Sequence, residues 1–408
     1  MRQRAADTEV RSTRRPGVHA VGMTGAALGL ASLVALPFAT FRSSRIQTGD
    51  DLSVLASLGP WWLAAIVAVW VALAVLSLRN DRRGAALAAR GLLGAVALLG
   101  TLMLSAVAAE RLLAEGPEFA RVSIGMGAWA CMLAGYMIVL ASRRELADRR
   151  ALASVLGALA PVGIVVLLTS GALADLGMLK EYASQSERFW AEAGAHVLFA
   201  AVSMAIAIVA GVSLGVLAFR RPAFKRPVFA VVSIFQTIPG LAMVGLLFAP
   251  LSWLGANVAL FERLGVGGLG WAPVILALTL YALLAVVRNT YAGLEGVPPA
   301  TVDAALGMGM TEWQVMRRVR IPLAMPALLG GVRTSTVQTV GNATLGAFVA
   351  AGTLGLFVFG GLSQQASDLI MLASLAIVAM ALLADGVLRA AQRLLLPSRT
   401  SAEGTCDR

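Results

Sequence analysis

Apolar runs of about 18 to 25 residues recur along this chain, each long enough to cross roughly 30 Å of hydrocarbon as a helix rising 1.5 Å per residue. They dictate the fold class, an all-α integral membrane protein. Ten spans are expected, near 18–41, 61–78, 91–109, 122–142, 151–174, 195–219, 228–252, 271–288, 323–350 and 368–388. Composition agrees, since 58% of the 408 residues are hydrophobic and only 13% charged. The mean hydropathy of +0.80 lies far from that of a soluble domain.

Lys and Arg are retained on the cytoplasmic side during insertion, so their distribution sets the orientation of the spans. With both termini in the cytosol, 25 of the 33 basic residues fall in inside segments, among them Arg79, Arg82, Arg83, Arg90, Arg220, Arg221, Lys225 and Arg226. Seven fall outside and Arg333 lies within a span. The net charge of +11 is thereby explained by topology. Basic residues dispersed in short loops form no single face, and nucleic acid is excluded as a partner. The first span follows a basic stretch, but it exceeds a signal-peptide core and no small-residue cleavage site follows, so it reads as an uncleaved helix. Cys131 falls mid-span and Cys406 in the cytosolic tail, positions that no disulfide joins.

The hydrophilic segment Lys180 to Glu192, placed outside, divides the chain into two blocks of five spans. The expected organisation is a basic cytosolic tail over 1–17, a first block over 18–180, a second over 190–392, and a cytosolic tail over 393–408. Gly25 and Gly29 have the GxxxG spacing that lets helices approach closely, although a chain with 42 glycines yields that spacing by chance as readily. The first block is otherwise nearly free of polar residues in its spans. The second concentrates them: Gln236, Thr237 and Pro239 in the seventh span, Arg333, Gln338, Asn342 and Thr344 in the ninth, and Asp385 near the inner end of the tenth. Polar groups and helix breakers at membrane depth are costly unless they face protein or water. On that ground Gln236, Thr237, Pro239, Gln338, Asn342 and Thr344 are candidates for a translocation path. Arg333 is placed to snorkel inward or to pair with Asp385.

Between the eighth and ninth spans a cytosolic loop runs from Asn289 to Pro322, long for a passive connection. It reads as two short helices. Pro298 and Pro299 suit a first helical turn, and Gly307 or Gly309 supplies a left-handed residue to end it. Thr311 then caps a second helix, with Gln314 at capping-box spacing. Trp313, Met316 and Val319 give that helix an apolar stripe, and Ile321-Pro322 stops it. Such a hairpin suits a protein partner, or else packs only on its own helix ends.

Asp303, Ala304, Ala305, Gly309, Ile321 and Pro322 stand in the register of the E-A-A loop found in permease subunits of binding-protein-dependent ABC importers, and the loop resembles it closely. Asp303 takes the place of the usual Glu, which keeps the carboxylate and shortens its reach. YALLAVVRNTYAGLEGV (Tyr281 to Val297), DAALGMGMTEWQV (Asp303 to Val315), the Q-T-I-P of Gln236 to Pro239 and the LLAD ending at Asp385 narrow the resemblance to the glycine betaine, choline and osmoprotectant group. It covers about residues 194 to 392. The first five spans resemble the extra N-terminal helices of one branch of that group.

The resemblance implies a permease core over 190–392 with a coupling loop over 289–322. It also implies two ABC ATPase subunits, a second permease copy (the same chain or a related one), an extracytoplasmic substrate-binding protein, and a bacterial inner membrane as the setting. ATP and Mg would be held by the ATPase, and no cofactor by this chain. The residues agree, because a nucleotide site needs GxxxxGK[ST] and the two lysines, Lys180 and Lys225, follow Leu179 and Phe224. Outside segments of about 25 residues at most hold no fused binding domain. His19 and His196 are isolated, so no zinc hydrolase site and no catalytic residues are expected. The competing class is an ion-coupled secondary transporter or channel acting without an ATPase, which calls for charges in several spans. Only Arg333 and Asp385 qualify.

Overall fold

The computed structural model describes residues 18–44, 47–78 and 84–395. The tail over 1–17, residues 396–408 with Cys406, and the loop arginines Arg79, Arg82 and Arg83 lie outside the described residues. The chain forms two compact units, one of Met1–Ser184 with Gln365–Asp368, the other of Gln185–Gln364 with Leu369–Arg408. Their boundary falls inside the hydrophilic segment 180–192.

In the first unit, helix α1 (Val18–Ala35) is followed by strands β1 (Ala39–Arg42) and β2 (Asp50–Leu52), then helices α2 (Val54–Leu58), α3 (Pro60–Leu78) and α4 (Gly84–Ala114). Strand β3 (Arg121–Ile124) precedes α5 (Met126–Glu145), α6 (Arg150–Thr169) and α7 (Gly177–Ser184). The strands form an antiparallel sheet in the order β2-β1-β3, with Ala39 opposite both Leu52 and Ile124. Hydropathy does not anticipate this sheet, which shortens two of the expected spans. The first ends at Ala35 because Pro37 removes a donor and restricts the residue before it, and the fourth begins at Met126 because 121–124 pair as strand.

Packing in this unit depends on small residues. Gly25 lies against Ile138, where an added Cβ would stand 2.8 Å from Cγ1, and Gly29 lies directly against the ring of Trp70, which is wholly buried. The GxxxG spacing is therefore used for helix contact. Arg90, expected in a cytosolic loop, is instead buried within α4, where its Nη2 donates to the Leu76 carbonyl at 2.7 Å. That carbonyl meets part of the hydrogen-bonding demand of the buried guanidinium, whose Nε has no partner among the described residues.

The second unit opens with α8 (Ser186–Arg220), a 35-residue helix about 52 Å long that extends well beyond a bilayer's hydrocarbon. Much of the segment 180–192 is thus helical rather than a connecting loop. Then follow α9 (Pro222–Thr237), α10 (Gly240–Asn257), α11 (Ala259–Arg263) and α12 (Trp271–Glu295). Helix α12 buries Ala277, Leu278, Val286 and Val287 against its neighbours and forms the axis of the unit. The remaining helices are α13 (Pro299–Gly307), α14 (Glu312–Val315), α15 (Ile321–Asn342), α16 (Gly355–Ser363) and α17 (Ser367–Leu395).

Eight described helices are long and apolar enough to cross a membrane. Two more, α1 and the polar 22-residue α15, bring the helices at the expected spans to ten. Two of the expected spans are irregular. The seventh breaks at Ile238-Pro239, and the ninth ends at Asn342 and continues as a 3-10 turn over Ala343–Val349.

Candidate functional site: a capped hairpin and a broken helix

The hairpin after α12 is closed at each joint by local sequence. The Met310 N–H bonds the Ala305 carbonyl at 3.2 Å and the Gly309 N–H bonds the Leu306 carbonyl at 2.9 Å, the two bonds of a Schellman turn. That turn places Gly309 at φ +84, where glycine carries no Cβ penalty. Gly307, the other candidate for that role, is the last helical residue of α13. The next joint is the expected capping box: the Thr311 N–H donates to Gln314 Oε1 at 2.8 Å, and the Gln314 N–H donates to Thr311 Oγ1 at 3.3 Å.

Val297, Val302, Ala305 and Val315 form the hairpin's own core, with Met310, Val319 and Leu323 packed against it. Asp303, Ala304 and Gly309 stay exposed, whereas Ala305 is 2% exposed and holds the two helices together. An outward-facing surface therefore comprises Asp303 and Ala304 with exposed Leu306, Met308 and Trp313.

Two expectations fail here. Ile321-Pro322 does not stop the second helix, which passes through a π-helical segment over Met316–Arg320 directly into α15. In an α-helix the Pro322 ring would press on the Arg318 carbonyl. The wider π turn, in which the Ile321 N–H bonds Met316, accommodates it. The stripe of Trp313, Met316 and Val319 also shifts: Val315 and Met316 are buried, while Trp313 is 56% exposed and lies beneath Arg220 of α8.

At the break in the seventh span, freed backbone groups find partners, as membrane depth requires. Pro239 is the N-cap residue of α10. The Tyr281 hydroxyl, from α12, donates to the Ile238 carbonyl at 2.6 Å, and Gln236 Nε2 donates to the Tyr281 carbonyl at 2.8 Å. Thr237 Oγ1 donates back to the Ile234 carbonyl at 2.8 Å. Phe235, Ile238 and Leu345 pack on a common core containing Tyr281 and Ala343, so the break and the 3-10 segment meet. Gln236, Thr237 and Pro239 are thereby brought near the segment that carries Thr344, whose Oγ1 donates to the Gly341 carbonyl. Asn342 ends α15, and Gln338 is exposed one turn earlier.

Arg333 takes the pairing alternative: its Nε donates to Asp385 Oδ1 and its Nη2 to Oδ2 at 3.4 Å, with Arg389 on the same carboxylate. His196 is buried, its Nε2 at 2.8 Å from the Val340 carbonyl. Near the N-terminal end of α9 and the C-terminal end of α12, Lys225 lies 4.4 Å over the Tyr291 ring and 3.7 Å from Glu295. Hydrogen bonding to Tyr291, reinforced by attraction to Glu295, raises the Lys225 ammonium above the ordinary lysine range.

Residues 203–401 match the family described as binding-protein-dependent transport system inner membrane component. Residues 15–179 match the N-terminal domain of ABC transporter permease YehY. The osmoprotectant import permease protein OsmW of Salmonella typhimurium is 36% identical over 202 residues, which is 50% of this chain and 89% of that protein. The chain belongs to the binding-protein-dependent ABC importer permeases.

The glycine betaine/carnitine/choline permease OpuCB of Bacillus subtilis is 34% identical over 204 residues, 50% of this chain and 87% of that one. The choline permease OpuBD of the same organism is 34% identical over 228 residues, 56% and 94% of the two chains. Among solved structures, an inward-facing MetNI methionine ABC transporter is 23% identical over 50% of this chain and 93% of its own, with a TM-score of 0.43. This permease is a non-catalytic subunit of the inner membrane, and ATP hydrolysis resides on a separate subunit.

In the permease, Tyr281 has a role that the motif around it does not spell out. A tyrosine in mid-helix needs a partner for its hydroxyl, and that is the signal by which sequence could have found it. Tyr281→Phe is expected to cost about 1 kcal/mol of stability by orphaning the Ile238 carbonyl, measured as a lower melting temperature in detergent. Unchanged melting would show that the bond holds nothing. Arg333→Met is expected to lower the melting temperature more than the double variant Arg333→Met/Asp385→Leu, because it leaves a carboxylate short of a partner. The reverse order would show that the pair does not depend on mutual neutralisation.

Proposed function

We propose that this permease imports a quaternary-amine osmoprotectant such as glycine betaine, choline or carnitine, powered by two ATPase subunits that hold ATP and Mg. The proposal rests chiefly on one observation, the capped cytosolic hairpin that keeps Asp303 and Ala304 exposed beside Leu306, Met308 and Trp313. A surface of that kind fits a groove on a protein partner. The relatives' names support the solute class, since each is a permease for osmoprotectants or choline. Asp303, Ala304, Ala305, Gly309, Ile321 and Pro322 then make up the coupling loop. Gln236, Thr237, Pro239, Gln338, Asn342 and Thr344 border the path.

Two permease copies, identical or related, alternate between outward and inward access while an extracytoplasmic binding protein delivers the solute. The core is 190–392, the block 18–180 is accessory, and the tails over 1–17 and 393–408 are cytosolic. An aromatic cage for the quaternary ammonium then belongs mainly to the binding protein.

The test is reconstitution of the permease with its ATPase and binding protein in vesicles. Uptake of radiolabelled glycine betaine, choline or carnitine should require ATP and both partners. Uptake by the permease alone, without ATP, would overturn the proposal in favour of a secondary transporter.

A further inference from the structure

Two reciprocal cation-aromatic contacts join the hairpin to the C-terminal end of α8, and a third joins α9 to α12. Arg220, the last residue of α8, lies 5.6 Å over the ring of Trp313 in the hairpin. Arg320, at the end of the π segment, lies 4.9 Å over the ring of Phe219, the neighbour of Arg220. Each element thus places a guanidinium on the other's ring. Arg320 also donates to the Leu294 carbonyl at the end of α12 at 3.4 Å, which fixes its direction.

The contacts continue inward. Phe219 meets Tyr291 of α12 at 6.1 Å between ring centroids, and Tyr291 meets Phe229 of α9 edge-to-face at 5.5 Å. The Tyr291 hydroxyl donates to Glu295 at 2.8 Å, and Lys225 closes the group over Tyr291. Phe229 is two turns along α9 from Thr237, where that helix breaks. A run of contacts, passing through the backbone between Arg220 and Phe219, therefore leads from an exposed tryptophan on the docking surface to the helix that carries the break.

We propose that this crossed arginine-aromatic joint, with Phe219 and Arg220 at its centre, transmits displacement of the hairpin to α8 and α9. These are positioning residues, and the proposal rests on the hairpin being the element that docks the ATPase. Its physical basis is the attraction of a guanidinium to the face of an aromatic ring within about 6 Å, which opposes separation of the two elements. Two such contacts, crossed in opposite senses, tie α8 to the hairpin from both sides. The π segment adds to this, because a helix of irregular hydrogen bonding bends there instead of carrying motion straight into α15.

The experiment uses the complete importer in vesicles, with the permease, its ATPase and its binding protein, and reads three quantities: ATPase retained on tagged permease, ATP hydrolysed, and glycine betaine, choline or carnitine taken up. For Phe219→Leu and Arg220→Gln the ATPase should remain bound and hydrolysis should continue, while solute moved per ATP falls about fivefold. Phe219→Tyr, which keeps a ring face, should restore the ratio. An unchanged ratio in both variants would overturn the proposal, as would uptake and hydrolysis declining in parallel. Should Phe219→Leu fail to fold, the surface change Arg220→Gln decides the matter alone by the same ratio. Failure of the proposed function itself would look different, as wild-type importer without ATP-dependent uptake or permease that retains no ATPase.

Discussion

Gly309→Val is expected to dismantle the hairpin after α12 and abolish capture of the ATPase while the membrane helices remain folded. At φ +84 a β-branched residue is strained by about 1 to 3 kcal/mol whatever room it has. Room is ample: a Cβ there would meet nothing within 4 Å. The cost is therefore one of backbone conformation, and it acts on the turn that orients α13 against the helix capped by Thr311. Asn, which tolerates the left-handed region, should be accepted in place of Gly309 with much of the function kept.

Asp303→Trp separates docking from folding. Asp303 is exposed on α13, so the bulky side chain should leave the hairpin intact and block the partner alone. Copurification of the ATPase with tagged permease, and ATP-driven uptake, are the measurements. Full uptake by the double variant Asp303→Trp/Gly309→Val would remove the hairpin from the coupling path.

Gly29→Leu should strongly destabilise the first unit. Its side chain would occupy the place of the Trp70 ring, which has no exposed surface and which an added Cβ alone would already overlap. Overpacking of this kind costs about 1 to 3 kcal/mol and sometimes more, and even Gly29→Ala should be felt because the ring adjoins the backbone. Val34→Leu, on the same helix at 91% exposure, serves as the neutral comparison. The readout is the melting of detergent-solubilised protein followed by size-exclusion chromatography. Wild-type melting of Gly29→Leu would mean that α1 does not pack against α3 through this glycine.

Much of the hairpin was legible in the sequence because its signals are local. A Schellman turn spans six residues and a capping box four, and each is written in the residues that form it, as Gly309, Thr311 and Gln314 illustrate. The membrane spans were legible for a similar reason, since hydrocarbon thickness converts directly into run length. Local rules also misled. Pro322 carries the signature of a helix end, yet the chain continues because a π turn absorbs the ring. Trp313 departs from the expected buried stripe, and its ring instead meets Arg220 of another helix.

By itself, then, the sequence determined that this is a ten-helix class of membrane protein with a hairpin in an importer's register, and that it carries no nucleotide-binding motif. Tertiary structure decided the rest. It alone established that the seventh span breaks with Tyr281 bonded to Ile238, 43 residues away in the chain. It alone set Arg333 on Asp385, 52 residues apart, and crossed Arg220 and Arg320 over each other's neighbouring rings. Hydropathy and caps are properties of a segment, so they survive in a linear reading. Contacts across tens of residues exist only once the helices have packed, and they fix where a polar side chain at membrane depth finds its partner.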